Sequence, residues 1–235
     1  MLKFTVAQEM FDLFPDLCFG VVVAEGVDNH GHDEAVAGLV AARARALAES
    51  LGDTDVREHP HIAVWREAFR KLGLNPNKFP SSIEALAKRV AKKAELPSIN
   101  RIVDLVNAVS LKYILPMGAH DLEVLPGDIE VRLARPDDLF IPFDSTQPEA
   151  VDTGEVVYAT GNQIRTRKWV WRQGEKAKVI EASDRIFFPI DAFYGVTDQA
   201  ARAAQTELEQ GLRQFCRAKT QVAWVDRENR SVHLD

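Results

Sequence analysis

Only two cysteines occur in the 235-residue chain, Cys18 and Cys216, far apart and in no CxxC pair. That excludes a disulfide framework or a zinc ribbon and fits a reducing compartment. No apolar run approaches the roughly 20 residues a membrane helix needs. The N-terminal stretch MLKFTVAQEMFDLFPDL is broken by charge too early for a signal peptide. A soluble, cytoplasmic protein is expected. Common catalytic signatures are missing as well: there is no GxSxG elbow, no Gly-rich phosphate loop and no HExxH. His59-Pro60-His61 lacks partners at metal spacing, and His30 and His32 lie in a Gly-flanked acidic loop that reads as solvated. Neither cysteine neighbours a basic cluster that would lower its pKa. No metal or cofactor is implied.

A positive total charge is also lacking, since the net charge is −6. The distribution is uneven. Residues 1–60 carry eleven acidic and four basic side chains, whereas residues 66–95 carry eight basic and three acidic. Residues 165–185 carry seven basic and three acidic. A nucleic-acid ligand requires local positive surface, because phosphate contacts act within a Debye length of about 8–10 Å. Lys88, Arg89, Lys92 and Lys93 therefore read either as the wet face of a helix or as a phosphate-binding surface.

With 46% hydrophobic and 27% charged residues, the composition is that of an ordinary folded protein, and the length suits one domain over residues 1–235. Phe19–Ala24 reads as a buried strand. His32–Leu51, Pro60–Leu72, Ile83–Glu95 and Ser98–Tyr113 read as helices, with Ser81 or Ser82 capping the third. Beyond residue 120 the pattern predicts strands at Ile129–Leu133, Glu155–Thr160, Arg165–Gln173, Lys178–Glu181 and Arg185–Ile190. Thr197–Ala218 returns to helix, and Val222–Val225 with Ser231–Leu234 reads as a closing hairpin. Pro136–Pro148 reads as a long surface loop. Helices concentrate early and strands late, which predicts an α+β fold with a mixed or antiparallel sheet and packed helices.

Ile99–Leu111 (INRIVDLVNAVSL) is the most informative segment. At about 100° per residue, Asn100, Asp104 and Asn107 fall within about 60° of one another, while apolar residues occupy much of the remaining circumference. Asn and Asp are mediocre helix formers, so the stripe needs a reason. Either it ties down neighbouring backbone or it lines a polar pocket.

Leu96-Pro97-Ser98-Ile99-Asn100-Arg101-Ile102-Val103-Asp104-Leu105-Val106-Asn107 resembles the "proline, then Ile-Asn-Asn-Val-Val-Asp-Val-Thr-Asn" signature of the editing domain in the beta subunit of phenylalanyl-tRNA synthetase. The resemblance continues through Leu115-Pro116-Met117, Asp121-Leu122 and Gly127-Asp128-Ile129-Glu130-Val131-Arg132. It implies an editing-domain fold and hydrolysis of misacylated tRNA. Free-standing relatives of this length are similar over nearly the whole chain, including Trp169-Val170-Trp171-Arg172-Gln173. One lineage of them acts on tRNA(Arg) charged with canavanine, which makes canavanyl-tRNA(Arg) the first substrate implied and misacylated tRNA(Phe) the second. One departure stands out. Where the synthetase pattern has His-Ala-Phe-Asp, this chain has Gly118-Ala119-His120-Asp121. Either His120 substitutes from a neighbouring position, or this chain recognises a different amino acid.

Ester hydrolysis needs no protein nucleophile. Holding the ester, positioning a water and stabilising the oxyanion suffice. Asn100, Asp104, Asn107 and His120 are expected to form one wall of such a site. On a strand, Arg165, Arg167, Trp169 and Trp171 share one face and Lys168, Val170 and Arg172 the other. Aromatics beside arginines suit stacking on the tRNA end and pairing with its phosphates, although a tryptophan pair in a strand also suits a core. A non-catalytic module that grips tRNA or senses an amino acid is the alternative from another class.

Overall fold

The computed structural model describes residues 1–92 and 96–235. Lys93 and Glu95, the expected end of the third helix, lie outside the described residues. Two sheets and a helical layer organise the chain. The larger, mixed sheet runs β12-β1-β4-β7-β8-β5-β6, with β9 paired to β8. Its strands are β1 (Lys3–Val6), β4 (Ile129–Leu133), β5 (Leu139–Phe140), β6 (Glu149–Ala150), β7 (Val156–Thr160), β8 (Gln163–Arg167), β9 (Arg172–Gln173) and β12 (Ser231–His233). The smaller, antiparallel sheet runs β11-β2-β10-β3, from β2 (Leu17–Glu25), β3 (His120–Asp121), β10 (Ile186–Phe193) and β11 (Lys219–Val225).

The apolar run at Phe19–Ala24 is explained by its place in these layers. β2 is the inner strand of the smaller sheet and is covered on both faces, so it reads as continuous rather than alternating hydrophobicity. Phe19, Val21 and Val23 pack between the two sheets, while Cys18, Val22 and Ala24 face the helices. β10 divides in the same way. Phe187 and Phe193 join the core between the sheets, and Ile186, Phe188, Ile190 and Ala192 join the helical side. By the period of two, Asp191 points with Phe187 and Phe193 toward the larger sheet.

The helices are α1 (Gln8–Leu13), α2 (Glu34–Leu51), α3 (Pro60–Lys71), α4 (Ser82–Ala91), α5 (Arg101–Tyr113) and α6 (Asp198–Cys216). Side-chain oxygens cap several starts: Asp33 accepts from Val36 N, Ser81 from Glu84 N and Asn100 from Val103 N. α5 and α6 pack on the outer face of the smaller sheet and approach closely at Gly211, where an added Cβ would lie 2.9 Å from Leu105. No helix among the described residues is long and apolar enough to cross a membrane.

The mixed α+β expectation holds, with four local corrections. Pro136–Pro148 is not a continuous surface loop, because it contains β5, which pairs with β6 and β8 and buries Phe140. Arg165–Gln173 is not one strand. β8 stops at Arg167, and Lys168 and Trp169 both adopt left-handed backbone (φ 45° and 62°) before β9 begins at Arg172. β11 and β12 do not form a hairpin either, because β11 pairs with β2 and β12 with β1, in different sheets. Finally, Lys178–Glu181 forms no strand.

Candidate functional site

Between the two sheets, at the end where β10 meets the turn after β8, lies a small cleft of about 80 Å³. Pro116, Gly118, His120, Tyr158, Trp171 and Asp191 are among the residues that line it. Its floor is polar yet buried, with His120, Tyr158 and Asp191 each 2% exposed. Asp191 Oδ1 accepts hydrogen bonds from Tyr158 Oη at 2.8 Å and Trp169 Nε1 at 3.0 Å. The imidazole of His120 stacks on the Tyr158 ring, with centroids 5.6 Å apart and planes at 19°.

Burial dominates the electrostatics here. It raises the Asp191 carboxyl to about 7 despite the Tyr158 and Trp169 donors, which favour the ionised form. Burial, reinforced by the Arg165 charge, lowers His120 to about 3, so the imidazole is neutral at physiological pH. Burial also holds the Tyr158 phenol well above its usual range, with the Asp191 charge adding to the effect. His120 Nδ1 is buried without a hydrogen-bond partner.

The left-handed turn at Lys168 and Trp169 is held by Glu155. Arg167 donates to both Glu155 oxygens at 3.0 and 2.9 Å, and Lys168 donates to the same carboxylate through its backbone N at 3.0 Å and its Nζ at 2.6 Å. Burial alone would raise Glu155, but the bonds from Arg167 and Lys168 keep its carboxyl below the usual range. Trp169 N then donates to Val156 O at 2.6 Å. Left-handed backbone costs a non-glycine residue roughly 1–2 kcal/mol. Here that cost is offset by the bonds that direct the Trp169 indole onto Asp191.

The expected site residues fall into separate places. His120 lines the cleft, and Trp171 and Arg172 lie along it, Trp171 half-buried with its ring edge-on to Phe79 at 4.9 Å. The polar stripe of α5 is elsewhere. Asn100 caps the helix, and Asp104 accepts from Ile99 N at 3.0 Å and from Ser98 Oγ, tying down the chain that enters the helix. Asp104 borders a different, larger groove of about 510 Å³ between α2 and the entry to α5, and Asn107 is half-buried beside neither cavity. The four residues expected to share a wall therefore do not surround one cavity: Asn100 and Asp104 bond backbone, Asp104 also borders its own groove, and His120 stands apart from them.

Arg165 and Arg167 lie away from the cleft, whereas Trp169 is among its lining residues. Arg165 is fully buried and donates to the Lys176 carbonyl. Arg167 is committed to Glu155, and Trp169 is a fully buried core residue packed on Trp65 and Phe14. The single strand expected to carry them on one face is interrupted by the turn, and Trp169 takes the core position that a strand tryptophan also suits. In α4, Lys88 Nζ bonds Glu84 at 2.6 Å, Arg89 is engaged in an interaction of its own and Lys92 is exposed at the helix end; Lys93 lies outside the described residues.

Asp191 and Tyr158 were missed. The available signal was one carboxylate inside the otherwise apolar run Ile186-Phe187-Phe188-Pro189-Ile190-Asp191-Ala192-Phe193. Both cysteines are buried, and burial pushes their thiols up to about 12, so neither is an available nucleophile. The cleft offers instead a neutral imidazole, a phenol and a carboxyl in a water-poor setting. Such groups hold and polarise a small ligand and one water without a covalent intermediate.

These features define an α+β domain with a buried polar cleft between two sheets. The chain belongs to the B3/4 domain family, which it matches over residues 64–217. It is 33% identical over 109 residues to the phenylalanine–tRNA ligase beta subunit of Idiomarina loihiensis, an alignment covering 44% of this chain and 14% of that subunit. An N-terminal fragment of the phenylalanyl-tRNA synthetase beta-subunit from Pyrococcus horikoshii has a similar fold, with a TM-score of 0.51 at 9% identity. That likeness covers 93% of this chain and 50% of the fragment, so the chain spans only part of the proteins it resembles.

Proposed function

We propose that the chain is an editing-type deacylase that hydrolyses the ester between tRNA and a wrongly attached amino acid, with canavanyl-tRNA(Arg) its first substrate. The observation that carries this reading is the buried cluster of His120, Tyr158 and Asp191 in a cleft bordered by the Pro116–Gly118 segment, while both thiols are buried and held protonated. An aminoacyl ester is activated enough for a positioned water to attack it. His120, neutral and held by its stack on Tyr158, orients that water or the ester oxygen. Trp171 and Arg172, at the same cleft, receive the unpaired tRNA end by stacking and phosphate pairing.

Kinship with a synthetase beta subunit supports the class of reaction. A synthetase pocket separates near-isosteres by only about 10²-fold, so a second hydrolytic site improves accuracy. The choice of canavanine rests on the resemblance to the free-standing lineage and gains from a cleft containing a carboxyl. An oxyguanidino group is far less basic than guanidinium, and a buried site separates charged from neutral forms by their desolvation.

A deacylation panel tests the proposal: tRNA(Arg) charged with canavanine or arginine, and tRNA(Phe) charged with tyrosine or phenylalanine. Selective release of canavanine is expected. Release of tyrosine alone would assign the chain to tRNA(Phe), and spontaneous rates for every ester would replace hydrolysis with a binding role.

A further inference from the structure

Five other carboxylates are buried: Asp104 and Asp121 have a neutral donor on each oxygen, and the remaining three each have a cation. Glu84 meets Arg66 and Lys88, Asp138 meets Arg132, and Glu155 meets Arg167 and Lys168. Asp191 differs. Among the described residues it makes no ion pair, and its two donors, Tyr158 and Trp169, are neutral and both bond Oδ1. No described side chain donates to Oδ2, the carboxyl's remaining polar contact being Asp191's own backbone N–H, and the residue borders the cleft. His120 and Arg172 are the other titratable or charged side chains bordering the cleft besides Tyr158, and neither bonds the carboxyl.

A buried carboxyl without a cation opposes folding. This one is also served by strained backbone, since the left-handed turn at Lys168 and Trp169 directs the indole to its Oδ1. Strain maintained around an unpaired group points to a ligand that completes it. A cleft of about 80 Å³ has room for a small polar group beside the carboxyl.

We propose that Asp191 anchors the bound amino acid in this cleft, its Oδ2 accepting a nitrogen donor, ammonium or guanidino-type. The inference rests on the cleft being the amino-acid site of the proposed deacylase. Its partner is chemically defined: a group with N–H donors and positive charge, matching the carboxylate oxygen that no side chain bonds. The donor is either the α-ammonium common to all aminoacyl esters or a side-chain group.

Calorimetric titration of the intact chain with phenylalanine amide, butylguanidine and arginine amide separates these two sources. The wild type should bind at least one probe, and Asp191→Asn, which keeps the Oδ1 acceptor, should weaken that binding at least about ten-fold. Parallel loss for both amides identifies the α-ammonium, and loss confined to butylguanidine and arginine amide identifies the side chain. A second measurement requires no variant: in two buffers of different ionisation enthalpy at pH 6, binding should release a proton, because the carboxyl that is raised to about 7 must ionise to pair with a cation. Unchanged affinity in Asp191→Asn, binding without proton release, or no binding of any probe overturns the inference. Probe binding through Asp191 with every aminoacyl-tRNA left intact would refute hydrolysis and keep this assignment. Hydrolysis indifferent to Asp191→Asn would do the reverse.

Discussion

A Cβ added at Gly118 would lie 3.1 Å from His120 Nε2. The imidazole from position 120 thus occupies the space beside residue 118, where the synthetase pattern carries its own histidine. Glycine at 118 leaves the histidine ring from position 120 the room it occupies. The ring has little freedom to give way, since it lies on Tyr158 and against Phe187, and Pro189 Cγ stands 3.2 Å from the same added Cβ.

Gly118→Ala should therefore destabilise the fold by about 1–3 kcal/mol, as overpacking of a tight site does. Deacylation should fall with it, because the ring is displaced from the cleft. Urea unfolding together with single-turnover hydrolysis checks both effects. Unchanged stability and rate would mean that the ring has slack and that the glycine has no part in placing it.

Asp191 makes stability depend on pH in a definite direction. Its carboxyl is raised from 3.8 to about 7, so between those values the folded chain holds a proton that the unfolded chain has lost. The stabilisation is complete below pH 3.8 and is lost as pH rises through about 7. Asn carries no such proton, so Asp191→Asn should gain on the parent as pH climbs from 5 to 8, with a limiting slope of about 1.4 kcal/mol per pH unit. His120 acts in the opposite sense: lowered from 6.5 to about 3, it contributes stability above pH 6.5 that is lost as pH falls. Tyr158 and Cys18, held neutral by burial, do not titrate in this range, and Arg165, lowered to about 10, remains charged. Denaturant titration of both proteins at several pH values isolates the Asp191 contribution. A constant difference between them would show that the carboxyl is not strained by burial.

Much of the fold was legible because local signals and tertiary placement agree. Gly52 and Gly73 follow α2 and α3, Ser81 caps α4, and the apolar run at β2 declares a strand covered on both faces. The misreadings share a cause. Arg165–Gln173 has every local mark of a strand, but the buried Glu155, distant in sequence, holds Lys168 and Trp169 in left-handed backbone that propensity disfavours. The hairpin expected around residues 226–230 failed because β1 and β2, at the other end of the chain, each claim one of its strands. His120 was legible as a cleft residue from its motif. Helical spacing leaves open whether backbone or a pocket lies opposite Asn100 and Asp104, and the structure shows backbone bonds for both and a groove beside Asp104.

Glu155 should be the most sensitive position outside the cleft. It satisfies Arg167 and Lys168 together, and its side chain is only 2% exposed. Removing one member of a buried ion cluster leaves the others uncompensated and typically costs about 3–5 kcal/mol. Glu155→Ala should lose stability on that scale, and the released turn should withdraw the Trp169 indole from Asp191. Thermal unfolding and the fluorescence of Trp169, read against a background in which Trp65, Trp171 and Trp224 are replaced by Phe, follow the two consequences separately. A stable Glu155→Ala protein with unaltered fluorescence would mean that the left-handed turn is fixed by packing rather than by this carboxylate.

The two basic regions make opposite predictions about where tRNA lies. Lys88 is tied to Glu84, which also takes Arg66, so its charge is partly spent within the protein and Lys88→Ala should change stability more than tRNA affinity. Arg172 is exposed beside the cleft, with its guanidinium 5.9 Å from the Phe140 ring centroid and no carboxylate paired to it among the described residues. Replacing one phosphate-contacting cation reduces the salt slope of binding by about 1, and loss of one stacking aromatic costs about 1–3 kcal/mol. Arg172→Ala should therefore weaken tRNA binding and flatten its salt dependence, and Trp171→Ala should weaken it with the slope unchanged. Removing the charges of Arg89, Lys92 and Lys93 together tests the face of α4 by the same readout. Loss from Arg172→Ala alone would place the tRNA end at the cleft, which hydrolysis requires. If only the α4 variant lost affinity, the tRNA body would lie on the helical layer, and the stacking role of Trp171 would be wrong.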